Sequence, residues 1–245
     1  MEKENADVTL KTEKLISCVM MILLLVSMLL VAREAAGITS SKIQKEEAVR
    51  CVIIDAGHGA ADSGKIGINK ALEKDLNLQI AKKVQKLLEA QDIKVLMTRE
   101  DDIGFYPKTG SNKKVQDMKR RVEFINEEKP DLTVSIHQNS YEEESIYGAQ
   151  VFYYKESANG KTAAEIMQDQ LIQTLDKENR RQAKNNSSYY LLKKTETPII
   201  IVECGFLSNR KEAELLVNDE YQEKVAWAIH LGILRYLNLS EKEEY

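Results

Sequence analysis

Histidine, cysteine and proline are all scarce in this chain: 245 residues contain 3 of each. No two cysteines are spaced as CxxC, which excludes a zinc knuckle and a disulfide-stapled scaffold. Cys18 falls in a hydrophobic run, Cys51 begins one apolar segment and Cys204 ends another. If those segments are parallel strands, the two thiols lie at opposite edges of a sheet and cannot bridge, so buried free thiols are expected. With only 3 Pro and 11 Gly, long disordered or fibrous regions are excluded. Neither sign of charge dominates: 35 Lys and Arg face 39 Asp and Glu, for a net charge of -4 and a pI near 5.6. That balance lacks the basic footprint of a nucleic-acid binder. Internal repeats and low-complexity tracts are absent as well.

One long hydrophobic run is present. Residues 15–32 are 18 consecutive positions without a charge, preceded by Lys11 and Lys14. The run is long for a signal-peptide core and short for a full membrane span of about 20 residues, so a cleaved signal and a membrane anchor both stay open. The lysines before it place the N-terminus inside and export the remainder. The expected organisation is a cytoplasmic segment 1–14, a signal or anchor 15–32, a polar linker 33–48 and one domain over 49–240.

Within that domain strands and helices alternate. Apolar runs at 52–55, 93–97, 132–136, 149–154 and 198–203 predict strands, and 189–192 a further short one. Leu76, Ile80, Val84, Leu87 and Leu88 recur at helical spacing over 73–90, as do Met118, Val122 and Ile125 over 116–128. Helices are also expected over 162–175, 208–217 and 221–236. The alternation predicts an α/β fold, a mainly parallel or mixed sheet covered by helices on both faces.

Three of the strand signals end on a polar residue that hydrophobic patterning does not require. Val52-Ile53-Ile54-Asp55 leads to His58 in a glycine turn, Leu132 to Ile136 leads to His137, and Pro198 to Val202 leads to Glu203. Parallel strands would bring all three to one carboxyl edge, where α/β folds place ligands. Singly, each could be a turn or capping residue; together they account for two of the three histidines. His230 lies within a predicted helix and reads as packing or surface. Two imidazoles and a carboxylate suit zinc and leave a position for water. Glu203 or Glu73, which opens a helix after the His58 loop, could supply the carboxylate, and the other could act as general base. Asp55 or Asn139 could orient the imidazoles or serve only in turns. Arg99 could meet a substrate carboxylate or form a surface salt bridge.

Val52-Ile53-Ile54-Asp55-Ala56-Gly57-His58-Gly59-Ala60-Ala61-Asp62-Ser63-Gly64, then Glu73-Lys74-Asp75-Leu76-Asn77-Leu78, Ser135-Ile136-His137-Gln138-Asn139-Ser140 and Val202-Glu203-Cys204-Gly205-Phe206-Leu207-Ser208-Asn209 stand in that order. Together they resemble the zinc-dependent N-acetylmuramoyl-L-alanine amidases over roughly residues 50–238. The resemblance implies that His58, Glu73 and His137 hold one zinc ion and that Glu203 is the catalytic acid and base. It implies cleavage of the amide between the lactyl group of N-acetylmuramic acid and L-alanine in peptidoglycan, outside the cytoplasmic membrane. Two positions depart from the family's habit: Ala60 stands where Gly is frequent, and Gln138 where Ala is common. There is no long insertion after His137 such as carries an inhibitory helix in some relatives. A short domain behind one hydrophobic segment is similar to the germination-specific, spore-cortex branch. A regulatory protein partner is left open. Two other readings compete: a zinc exopeptidase acting on free peptides, and a non-catalytic wall-binding protein.

Overall fold

The three apolar segments that end in polar residues lie side by side. In the computed structural model, which describes residues 16–17, 19–33, 50–105 and 112–243 and side chains up to 238, they are β1 (Cys51–Ala56), β3 (Leu132–Asn139) and β6 (Ile199–Phe206). With β2 (Lys94–Met97), β4 (Gln150–Tyr154) and β5 (Lys184–Asn186) they form one six-stranded sheet in the order β2-β1-β3-β6-β4-β5. β1 runs parallel to β2 and β3, and β3 parallel to β6. β4 runs antiparallel to β6 and parallel to β5, so the sheet is mixed.

Helices α2 (Glu73–Glu89), α4 (Ala158–Thr174) and α7 (Asp219–Glu243) cover one face. Beneath them lie the even-numbered strand residues Val52, Ile54, Val134, Ile136, Ile200 and Val202, all fully buried. At about 1.5–3 kcal/mol for each large apolar side chain taken from water, this face supplies most of the hydrophobic driving force. Among the described residues, the helices on the other face are α3 (Lys113–Glu128) and the short α5 (Tyr190–Lys194), which pack Val122, Ile125, Leu191 and Leu192 on Ile53, Ile199 and Ile201. Along that face the odd-numbered residues of β1 and β6 change from apolar to polar toward the strand ends, Ile53 giving way to Asp55 and Ile201 to Glu203, while β3 presents Thr133, Ser135 and His137 in turn. The thinner cover and the polar residues together leave an open cleft at the carboxyl edge. α6 (Arg210–Leu216) follows β6, its first turn capped by Asn209, whose side chain accepts from Glu212 N.

Two local expectations change. Residues 189–192 do not form a strand: Tyr189 is the N-cap of α5 and 190–192 are its first residues. Leu191 and Leu192 are adjacent and both buried, which suits a strand covered on both faces as well as a helical turn; here one turn packs both against the Ile53, Ile199 and Ile201 face of the sheet. The short strand β5 was not expected, because Lys-Asn-Asn carries no apolar signal; it is an exposed edge that pairs through its backbone with β4. Cys51 and Cys204 are free thiols, as expected, although Cys51 is only half-buried.

The chain divides into two compact units, Met1–Ala48 and Val49–Tyr245. In the first, helix α1 spans 19–33, from within the hydrophobic run to Arg33 just after it, with every described side chain exposed. Leu15 and Cys18 of that run, and most of the linker 33–48, lie outside the described residues. Among the described residues no helix is long and apolar enough to cross a membrane.

Candidate metal centre and active site

Loop residues 57–72 leave β1 and fold back over its end before entering α2. The first main-chain N–H groups of α2 have no side-chain cap; loop carbonyls serve instead, Lys65 O accepting from Glu73 N (3.0 Å) and Ser63 O from Lys74 N (3.1 Å). The same folding sets Glu73, 2% exposed, under the loop that carries His58. Glu73 Oε1 lies 3.2 Å from His58 Nε2 and 2.9 Å from His137 Nδ1, and it accepts from Gln138 N at 3.1 Å. Its Oε2 accepts from Lys65 N at 2.8 Å. The imidazoles meet edge to face, with ring centres 4.9 Å apart. One donor atom from each of His58, Glu73 and His137 falls within 4.8 Å of the other two.

Glycine is required here by close approach. A Cβ on Gly57 would lie 2.3 Å from two atoms of the His137 ring, and one on Gly64 would lie 2.5 Å from Glu73 Oε2. The turn itself is unusual: His58, Gly59 and Ala60 have φ of 62°, 137° and 49°. Left-handed backbone at two non-glycine residues persists only where the surroundings over-determine it.

Two buried arginines do so. Arg121 of α3 donates to Ala56 O and His58 O, pairs with Asp55 and Asp117, and is 1% exposed. Arg99, 3% exposed, donates to Ala56 O, Gly57 O, Lys74 O and Asp101 O. Arg99 therefore neither forms a surface salt bridge nor faces the cleft, the two roles open to it from sequence. It is turned inward, where its N–H groups satisfy the carbonyls of Ala56 at the end of β1, of Gly57 and Asp101 in the loops, and of Lys74 in α2.

Asp55 and Asn139 do not orient the imidazoles. Asp55 accepts from Thr98, Ser135 and Arg121, and the Asn139 side chain accepts from Ser140 N. The residue that does contact a ring is Asp62, whose Oδ2 lies 3.0 Å from His58 Nδ1 and from Lys114 Nζ. Neither Asp62 nor Arg121 was singled out from sequence. For Arg121 a signal existed: it stands at helical spacing between Met118 and Val122 on the inward stripe of α3, where a charge needs a buried partner.

Glu203 stands beside His137 in the β3–β6 register. It is 8% exposed, and its Oε2 has no hydrogen-bond partner among the described residues. Burial pushes its carboxyl up to about 7; His137 pulls the other way, and the charge on Glu73 adds to the effect of burial. Glu73 behaves oppositely: although burial disfavours its charge, hydrogen bonds from His137 and His58 hold it well below the usual carboxylate range. For His137, burial opposes protonation, but the Glu73 hydrogen bond and charge outweigh it and raise the imidazole above its ordinary value. Two neighbouring carboxylates driven apart in pKa are a pattern of acid–base sites. The cleft above them has a volume of about 540 Å³ and is lined by Tyr189, Tyr190 and Leu191 as well as by His58 and Lys65. His230 takes no part: it is buried in α7 against Trp227.

A model of the family described as N-acetylmuramoyl-L-alanine amidase matches residues 52–235. The chain belongs to that family. The germination-specific N-acetylmuramoyl-L-alanine amidase of Bacillus subtilis is 40% identical over 190 residues, 76% of this chain and 79% of the relative. The CwlD amidase of Clostridioides difficile, solved in complex with the GerS lipoprotein, superposes with a TM-score of 0.75 at 41% identity, covering 78% of this chain and 99% of that one. The amidase AmiC2 of Nostoc punctiforme superposes with a TM-score of 0.68 at 33% identity, over 78% of this chain and 98% of the other.

The amidase is thus a peptidoglycan hydrolase that cleaves the bond between N-acetylmuramic acid and L-alanine, which sets aside the exopeptidase and non-catalytic readings. Its two departures from the family's habit have visible settings. Ala60 holds the left-handed backbone for which Gly is the easier residue. Gln138 donates through its side chain to Asn77 Oδ1 at 3.1 Å, and Asn77 in turn donates to Gly57 O.

Proposed function

We propose that this amidase works with one zinc ion held by His58, Glu73 and His137, with Glu203 as general base and then general acid. The observation that carries the reading is the cluster of three donors beside a buried carboxylate whose Oε2 has no hydrogen-bond partner among the described residues. The donor set fits the ion: two imidazole nitrogens and one carboxylate oxygen are the ligands of a catalytic zinc site. When bound there, zinc supplies Lewis acidity toward the amide carbonyl and makes a water acidic enough to attack near neutral pH.

The chain's own residues do the rest. Asp62 accepts from His58 Nδ1 and so favours the tautomer that leaves Nε2 free as a ligand. Glu203, raised to about 7, is matched to removing a proton from the attacking water and returning it to the departing alanine nitrogen. Tyr189 and Tyr190 offer aromatic surface to the sugar and peptide beside the bond.

The reading extends to spore-cortex peptidoglycan, supported by likeness to the germination-specific enzyme and to CwlD. Residues 49–240 are the catalytic domain, delivered across the cytoplasmic membrane by 15–32 acting as a signal or anchor. A regulatory protein partner is supported by the complex in which the CwlD relative was solved. The test is Glu203→Gln: zinc content stays at one ion per chain while release of stem peptides from purified wall is abolished. Retained activity in that variant overturns the role of Glu203. Mass spectrometry of muropeptides from cortex and vegetative wall, digested in parallel, decides the substrate.

A further inference from the structure

Arg99 is a buried cation whose hydrogen bonds all end on main-chain carbonyls. Nε reaches Ala56 O at 2.9 Å and Nη1 reaches Asp101 O at 3.1 Å; Nη2 reaches both Gly57 O at 3.1 Å and Lys74 O at 2.7 Å. The last two contacts matter most. Gly57 is joined directly to His58, and Lys74 directly to Glu73. One nitrogen therefore ties together the two main-chain segments that carry two of the three proposed zinc ligands. The guanidinium is planar and rigid, so it fixes the distance between the carbonyls it bridges in a way that a flexible ammonium does not.

The surroundings leave the clamp little freedom. Gly57 O also accepts from Asn77 Nδ2 at 3.1 Å, and His58 O is held by Arg121 at 2.7 Å. The Arg99 Cδ lies 3.0 Å from where a Cβ on Gly59 would sit, so the loop is packed onto the arginine's stem as well. On the Glu73 side, Lys74 Nζ donates to Ala60 O at 2.9 Å, a second link between the helix start and the loop.

We propose that Arg99 is a positioning residue that sets the separation of His58 and Glu73 by bridging the carbonyls of Gly57 and Lys74. The proposal rests on the zinc reading above. It assigns Arg99 to metal binding through the backbone and gives it no contact with substrate. Relaxing the bridge lets the His58 loop and the start of α2 drift apart, which weakens the metal site before it affects anything else.

The full-length protein, Arg99→Gln and Arg99→Lys are compared by three measurements. These are zinc affinity from competition with a chromophoric chelator, the visible spectrum of the cobalt-substituted protein, and thermal unfolding of the metal-free protein. Zinc binding in Arg99→Gln should weaken about tenfold or more, the range for losing an outer support of a metal ligand. The cobalt bands should shift, and Arg99→Lys should recover part of both effects. Should Arg99→Gln not fold, Arg99→Lys carries the comparison. Unchanged zinc affinity and cobalt spectrum in the folded variants, whatever happens to thermal unfolding, overturn the proposal. So does failure of both variants to fold, which would assign Arg99 to the fold at large. If the unsubstituted protein itself binds no zinc, the zinc reading falls first, and that result is distinct from the other two.

Discussion

Replacing Gly57 by alanine isolates one steric requirement of the site. The added Cβ would stand 2.3 Å from Cε1 and Nε2 of His137, where about 3.4 Å is ordinary contact, so the ring must retreat by about 1.1 Å. Gly57 does not have the left-handed backbone of its neighbours, so the substitution adds no conformational strain of its own. His137 cannot yield freely, since Glu73 holds its Nδ1 at 2.9 Å and β3 holds its backbone against β6. Overpacking of this kind costs about 1–3 kcal/mol in stability. A ligand or reacting group displaced by about 1 Å costs about 100-fold in rate. Gly57→Ala should therefore remain folded, lose about 100-fold in kcat/KM for stem-peptide release and bind zinc more weakly. The assay is release of new amino termini from purified peptidoglycan, with zinc affinity and thermal unfolding measured on the same preparations. Full activity together with unchanged zinc affinity would refute the reasoning, because it would mean that His137 can move by an ångström without consequence.

Other perturbations follow from the same geometry. Asp62→Asn weakens the acceptor facing His58 Nδ1 and should lower zinc affinity about 10- to 100-fold, read by chelator competition, with little change in thermal unfolding. Arg121→Met leaves Asp55 and Asp117 without their cation, and breaking a buried pair on one side should cost about 3–5 kcal/mol in urea unfolding. Asp55 links stability to pH. Burial pushes its carboxyl up, but Arg121, Ser135 and Thr98 outweigh that and hold it at about 2, against an ordinary 3.8. A carboxyl depressed on folding stabilises fully above its unfolded value and loses that contribution as pH falls toward the folded one. Unfolding free energy should thus drop by about 2 kcal/mol on this account between about pH 4 and pH 2, and Asp55→Asn should flatten that part of the profile.

The elements that carry the site were legible because their signals are local. Val52-Ile53-Ile54, Val134 and Ile136, and Ile199 to Val202 are buried runs that end in chemistry-bearing residues. Parallel pairing then brings their ends to one edge without any further information. The inward charge at Arg121 was equally visible in the spacing of α3, but its partners Asp55 and Asp117 could be known only once that helix was docked. Asp62 and Arg99 were beyond reach for a different reason. Their roles consist of contacts made by a loop that folds back on itself, and 42 residues separate Arg99 from Gly57. The strand expected at 189–192 failed because burial of two consecutive leucines looks the same in sequence for either secondary structure. Only the sheet face they pack on selects the helix.

Taken alone, the amino-acid order determined the α/β architecture, the edge at which His58, His137 and Glu203 emerge, and the family, since these depend on short apolar periods and motifs read along the chain. Tertiary structure decided what holds those groups in place. It put Glu73 between the two imidazoles and left Oε2 of the buried Glu203 without a hydrogen-bond partner among the described residues. It also turned Arg99 and Arg121 inward to satisfy the carbonyls of the His58 turn. The physical reason is that desolvation and hydrogen-bond closure depend on which distant segments meet, and a linear pattern does not contain that.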